Sequence, residues 1–243
     1  MLTANVWAQS DSKIAARNLA TYYNGTYSGN EQFVLSTPVT RFLPEVLLVE
    51  RKKETTFKTK VRKFALLYKK INLLNALEYV DLREKKNGDG TATVRSVSHR
   101  LRFPSIKFND KIYIFAGENF NTEADAEIFN LFLKEANLEI ENEREAAELA
   151  NLYFSVTRGY FENRGKLILS GVEDVPPSYR KAKEAETKRL QQIISAPQSK
   201  LAGGSYEVEF FTWEMALGEV KKWNFKIQPN AQIEVQSEVI SKL

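Results

Sequence analysis

Tyr206-Glu207-Val208-Glu209-Phe210, near the end of the chain, alternates apolar and acidic side chains. A period of two reads as a half-buried strand. Leu217-Gly218 then turns the chain, and Trp223, Phe225 and Ile227 alternate in the same way. Pro229-Asn230 turns it again ahead of Ile233 and Val235. Alternating segments joined by short turns predict an antiparallel three-strand meander over residues 205–243. Phe210-Phe211 puts two apolar side chains in succession, which predicts a bulge. Trp213 and Trp223 are expected near each other across the first strand pair.

Working back from the meander, residues 178–195 predict a helix that is polar nearly all round. It follows Pro176-Pro177 and leads into a linker-like stretch from Pro197 to Ser205. Leu167-Ile168-Leu169 reads as a strand. Before it come two amphipathic helices. Thr122 and Asp125 form a capping-box-like start ahead of Ile128, Phe129, Leu131, Phe132 and Ala136. Asn142 and Glu145 stand at N-cap and N3 spacing ahead of Ala146, Leu149, Ala150, Tyr153 and Val156. The short link between them predicts an antiparallel helical hairpin.

The first half reads as strands. Phe33-Val34-Leu35 and Val46–Val49 are short candidates, and Lys111–Ala116 is apolar enough to be a central strand. Asn87-Gly88-Asp89-Gly90 supplies the positive φ angles of a hairpin turn between Glu78–Glu84 and Thr91–Val97. Residues 55–77 match both periods: strand is expected at the start and helix from about Lys63. Ser12 caps a candidate helix through Tyr23. The fold class expected is α+β, with antiparallel strands, a central helical hairpin and a C-terminal meander. The organisation expected is a tail over 1–12, an α+β domain over 13–171, a polar helix and linker over 172–204, and the meander over 205–243 packed on the main domain.

Composition removes several chemistries. Among 243 residues there is no cysteine and one histidine, His99. Thiol catalysis, disulfides and Cys or multi-His zinc sites are therefore excluded. No Walker or G-x-G-x-x-G phosphate loop is present. His99 reads as structural, because no nucleophile elbow surrounds Ser96 or Ser98. The acidic run Glu139, Glu141, Glu143, Glu145 and Glu148 reads as a helix start favoured by the macrodipole rather than a calcium loop. No metal or other cofactor is expected. No run of about 18 apolar residues marks a membrane span.

The charges are sorted. Between Arg41 and Asp110 seventeen Lys and Arg stand against eight Asp and Glu, and from Lys111 to Arg164 five stand against eleven. The densest basic cluster is Arg51, Lys52, Lys53, Lys58, Lys60, Arg62 and Lys63, followed by Lys69 and Lys70. Clustered cations suit an anionic macromolecule or surface: a glycan, a lipid headgroup layer or an acidic protein. Phe57, Phe64 and Tyr68 interleave with them, as aromatics do in single-strand nucleic-acid binders. The same aromatics also fit a core stripe, and the cations could equally pack against the acidic helices.

Val6-Trp7-Ala8 before Gln9-Ser10-Asp11-Ser12 resembles the cleavage end of a secretory signal, which places the mature protein in the periplasm or outside the cell. The leading expectation is an exported, non-enzymatic binding or accessory protein with a basic face. The alternatives are a nucleic-acid binder using residues 51–70, or a carboxylate-dependent polysaccharide hydrolase built on Glu207, Glu209 and Glu214 beside Trp213.

Overall fold

A computed structural model describes residues 32–35, 46–48, 59–86, 92–117, 122–158, 166–215 and 217–243. Candidate elements at 12–23 and the basic residues 51–58 lie outside them. The fold is α+β, with predominantly antiparallel sheets, a central helical hairpin and a C-terminal meander. The chain divides into two compact units, residues 1–57 with 66–128, and residues 58–65 with 129–243. Among the described residues no helix is long and apolar enough to cross a membrane.

The first unit holds a five-stranded sheet built from β1 (Gln32–Leu35), β2 (Val46–Leu48), β3 (Asn72–Lys86), β4 (Ala92–Phe108) and β5 (Lys111–Ile114), in the order β1-β5-β4-β3-β2. The strands expected on either side of Asn87–Gly90 pair antiparallel as β3 and β4 and are longer than their alternation indicated; the turn itself lies outside the described residues. Ile112, Tyr113 and Ile114 are fully buried, as an internal strand requires. One pair departs from expectation: β1 runs parallel to β5. Past β5, the buried Asp125 carboxylate accepts the Ala116 and Gly117 N–H groups at 2.6 and 3.0 Å, satisfying backbone donors that leave the sheet.

Of the ambiguous stretch 55–77, residues 55–58 lie outside the described residues, and the helix expected from about Lys63 is present, starting at Arg62. Thr59–Val61 is not a strand; Thr59 Oγ1 accepts the Val61 N–H at 3.1 Å in a local turn. The helix α1 (Arg62–Tyr68) is only two turns long. Both Lys70 and Ile71 donate their N–H to the Leu67 carbonyl, which closes the helix and releases the chain into β3.

The helical hairpin is α2 (Thr122–Ala136) and α3 (Glu143–Arg158); residues 122–128 of α2 fall in the first unit, and the rest of the hairpin belongs to the second unit. The second sheet contains β6 (Lys166–Leu169), β7 (Gln198–Ala202), β8 (Ser205–Glu214), β9 (Glu219–Ile227) and β10 (Ile233–Lys242). The meander order is β10-β9-β8, and the far edge of β8 is shared, with β7 on its first half and β6 on its second. Between β6 and β7 lie a 3-10 turn at Val172–Asp174 and two short helices, α4 (Pro177–Ala182) and α5 (Glu184–Gln191). The single helix expected there breaks at Lys183, whose φ −135°, ψ 63° is not helical.

The stretch Gln198–Ala202 is a strand, not a linker. Gly203 and Gly204 adopt φ of +57° and +79°, the positive pair that closes a two-residue hairpin onto β8. Phe210-Phe211 is not a bulge either: the β8–β9 register runs unbroken from Tyr206↔Ile227 to Glu214↔Glu219. Both phenylalanines are buried because this end of β8 is covered on both faces. On one face Phe210 meets Phe154 of α3, Trp223 and Phe225, and Tyr153 bridges Phe129 and Phe225. On the other, Phe211, Trp213 and Val220 pack with Leu169, Val172, Val175, Leu190 and Ile194. The bulge in this sheet falls instead in β10, between Val239 and Ser241.

The outer edge of β10 is fastened by side chains. Asn130 of α2 accepts the Ile233 N–H at 2.8 Å and donates to the Ile233 carbonyl at 2.9 Å. Arg189 donates to the Ile240 carbonyl at 2.7 Å and Lys183 to the Lys242 carbonyl at 2.9 Å.

Candidate functional site

Of the basic cluster, Lys60, Arg62 and Lys63 fall within the described residues; Arg51, Lys52, Lys53 and Lys58 do not. Lys60 precedes α1, while Arg62 and Lys63 open it and face different ways. Lys60 and Arg62 are exposed and have no ion-pair or side-chain hydrogen-bond partner among the described residues. Lys63, one position on, turns towards the start of α3. Its Nζ donates to the Glu139 carbonyl at 2.9 Å, Glu141 Oε1 at 3.1 Å and Glu145 Oε2 at 2.7 Å. Glu145 closes a capping arrangement: Oε2 accepts the Glu141 N–H, while Asn142 Oδ1 accepts the Glu145 N–H. Partial burial disfavours the Lys63 ammonium, but the bonds to Glu145 and Glu141 outweigh it and raise its pKa above the ordinary lysine value. Lys63 is therefore an internal fastener of the acidic helix start.

Of the interleaved aromatics, Phe57 lies outside the described residues, and Phe64 and Tyr68 sort as a core stripe. Phe64 is fully buried, Leu67 and Ile71 continue the apolar positions, and Tyr68 is half-buried. Phe64 is thus unavailable for stacking on a base. Lys69 and Lys70, after the helix, are exposed.

The carboxylates considered for hydrolysis are each engaged by a lysine. Glu207 pairs with Lys200 at 3.0 Å, Glu209 with Lys222 at 2.9 Å and Glu214 with Lys221 at 3.0 Å. Trp213 and Trp223 are not neighbours. Trp213 stands opposite Val220 and Trp223 opposite Phe210, so an odd separation along β8 puts them on opposite faces of the sheet. Both are buried, Trp213 against the Tyr179 ring and Trp223 with its Nε1 donating to Thr212 Oγ1 at 2.9 Å. No group of three His, Asp or Glu side chains among the described residues is arranged to hold a metal ion. His99 lies in β4, and its side chain is outside the described set.

A concavity of about 400 Å³ lies in the second unit over the part of the sheet that α4 and α5 do not cover. Two cross-strand rows form it. The first runs Lys200, Glu207, Lys226, Glu234, alternating in sign from strand to strand; the second runs Gln198, Glu209, Asn224, Gln236. The backbone of Ser199, Val208 and Phe225 lies between the rows as its floor. The sequence signal was present in the polar positions of the meander's alternation, but β7, which supplies one end of each row, was hidden by its reading as linker.

Comparison with protein-family models, with curated proteins and with solved structures finds no match to this chain.

Proposed function

We propose that this chain is a non-enzymatic binding or accessory protein that works outside the cytoplasm and meets an anionic macromolecule or surface through its basic segment. The observation that carries the reading is the contrast within one turn of chain. Lys63 is engaged internally, whereas Lys60 and Arg62 stay exposed with no counter-ion among the described residues. Exposed cations without internal partners keep their full charge available for an incoming anion. Burial of Phe64 and pairing of Glu207, Glu209 and Glu214 withdraw support from base stacking and from carboxylate hydrolysis.

The test is binding of the full chain to heparin, to phosphatidylglycerol vesicles and to single-stranded DNA across a salt series, with fractionation of the natural product in parallel. Affinity for heparin or vesicles that falls with salt, and falls at least tenfold in K60E/R62E, is the expected result. Salt-independent binding, or an unaffected double variant, refutes the basic-face reading. Preferential DNA binding transfers it to nucleic acid, and a cytoplasmic product removes the export component.

A further inference from the structure

We infer that the concavity on the open end of the second sheet is a binding site for a neutral oligosaccharide. The inference does not rest on the basic segment; it rests on the two polar rows. Four side chains there, Asn224, Gln236, Lys226 and Glu234, form no hydrogen bond or ion pair among the described residues. They present amide donors and acceptors, an ammonium donor and a carboxylate acceptor side by side.

The chemistry of the lining selects the ligand. An anion would face Glu207, Glu209 and Glu234, and a cation would face Lys200 and Lys226. An apolar ligand would find no apolar side chain projecting into the rows. An extended peptide adds to a sheet edge, whereas this surface is a sheet face. Sugar hydroxyls each donate and accept, so they match an array that mixes both capacities without large net charge. Strands about 4.8 Å apart spread the rows over roughly 14 Å, and two residues along a strand separate them by about 7 Å. That footprint accommodates a short run of pyranose rings. The volume of about 400 Å³ lies in the range of small-ligand sites. With Trp213 and Trp223 buried elsewhere, no indole among the described residues is available as a stacking platform, so the recognition is polar and weak.

Saturation-transfer NMR on the full chain tests this with maltotetraose, cellotetraose and chitotetraose as probes. Transfer to the ring protons of at least one probe is expected. It should be lost in N224L/Q236L and in K226S/E234S, exposed or half-exposed positions whose folding is checked by circular dichroism, and retained in K60E/R62E. No transfer from any tetrasaccharide overturns the proposal. So does transfer that persists in both groove variants, or transfer from a charged nucleotide or a tripeptide in place of the sugars.

Discussion

Glu214 and Glu219 stand directly opposite each other across the β8–β9 pair, two carboxylates with side chains only 9% and 8% exposed. Like charges facing across a strand pair repel. Lys221 bridges them, with Nζ 3.0 Å from Glu214 and 3.3 Å from Glu219, and Lys242 reaches Glu219 from β10 at 2.7 Å. The hydrogen bond from Lys242, aided by Lys221 and opposed by burial, holds Glu219 below the usual carboxylate range.

Replacing the bridge should expose the repulsion. Lys221→Met is expected to destabilise the protein by about 2 kcal/mol, between the surface and buried limits for ion pairs. Urea unfolding at pH 7 measures it, and a loss below about 0.5 kcal/mol would show that Lys242 alone suffices.

The same site sets a pH dependence. A folded pKa below the unfolded value of 4.5 means the stabilisation is fully present above about pH 4.5. It disappears as pH falls through the lower folded pKa. The stability advantage of wild type over Glu219→Gln should therefore be constant above about pH 4.5 and shrink as pH falls below it. A gap that stays constant as the pH is lowered to acid unfolding contradicts the assignment.

Lys63 separates structure from binding. Lys63→Met leaves Glu145, whose side chain is 9% exposed, without its cation and should cost about 1–3 kcal/mol. K60E/R62E, both exposed, should change stability by less than about 0.5 kcal/mol. The expected pattern is a crossed one: denaturant midpoints move with Lys63, and anion affinity moves with Lys60 and Arg62.

Two-sided burial of β8 makes adjacent residues equally costly to truncate. Phe210→Ala and Phe211→Ala should each lose about 3–5 kcal/mol, as truncations of buried phenylalanine do. A near-neutral result at either one would mean that its face of the strand is open to solvent.

The β7–β8 turn depends on two glycines for backbone reasons alone, since a Cβ at either meets nothing within 4 Å. Gly203→Ala and Gly204→Ala should each cost roughly 1–2 kcal/mol by forcing a non-glycine residue into the left-handed region. Thermal melts of the two variants report it directly, and unchanged melting temperatures would argue against the turn.

Much of the fold is written in local pattern, because period and turn chemistry are local. The alternations at Tyr206–Phe210, Trp223–Ile227 and Ile233–Val235, and the cap at Asn142, each name their element. What failed to show depends on partners distant in sequence. Gln198–Ala202 carries no apolar alternation, and becomes a strand by pairing with β8. Phe210-Phe211 mimics a bulge because a sheet covered on both faces needs apolar side chains at consecutive positions. Helix α1 ends at Tyr68 although Ile71 continues its stripe, since β3 claims the chain beyond. The candidate site followed the same division. Sorted charge was legible from Arg51 to Lys63, but the engagement of Lys63 by Glu145, 82 residues away, was not assigned to any one side chain. The groove rows require a register across four strands that no single segment contains.

An edge strand ordinarily offers its backbone to any passing extended segment. Here Asn130 gives Ile233 the two bonds a neighbouring strand would give, and Arg189 and Lys183 occupy carbonyls at the other end of β10. A foreign segment sliding along that edge would have to evict a side chain at whichever end it reached. The number of registers open to it is small, and this edge is guarded against strand addition without a single proline in β10.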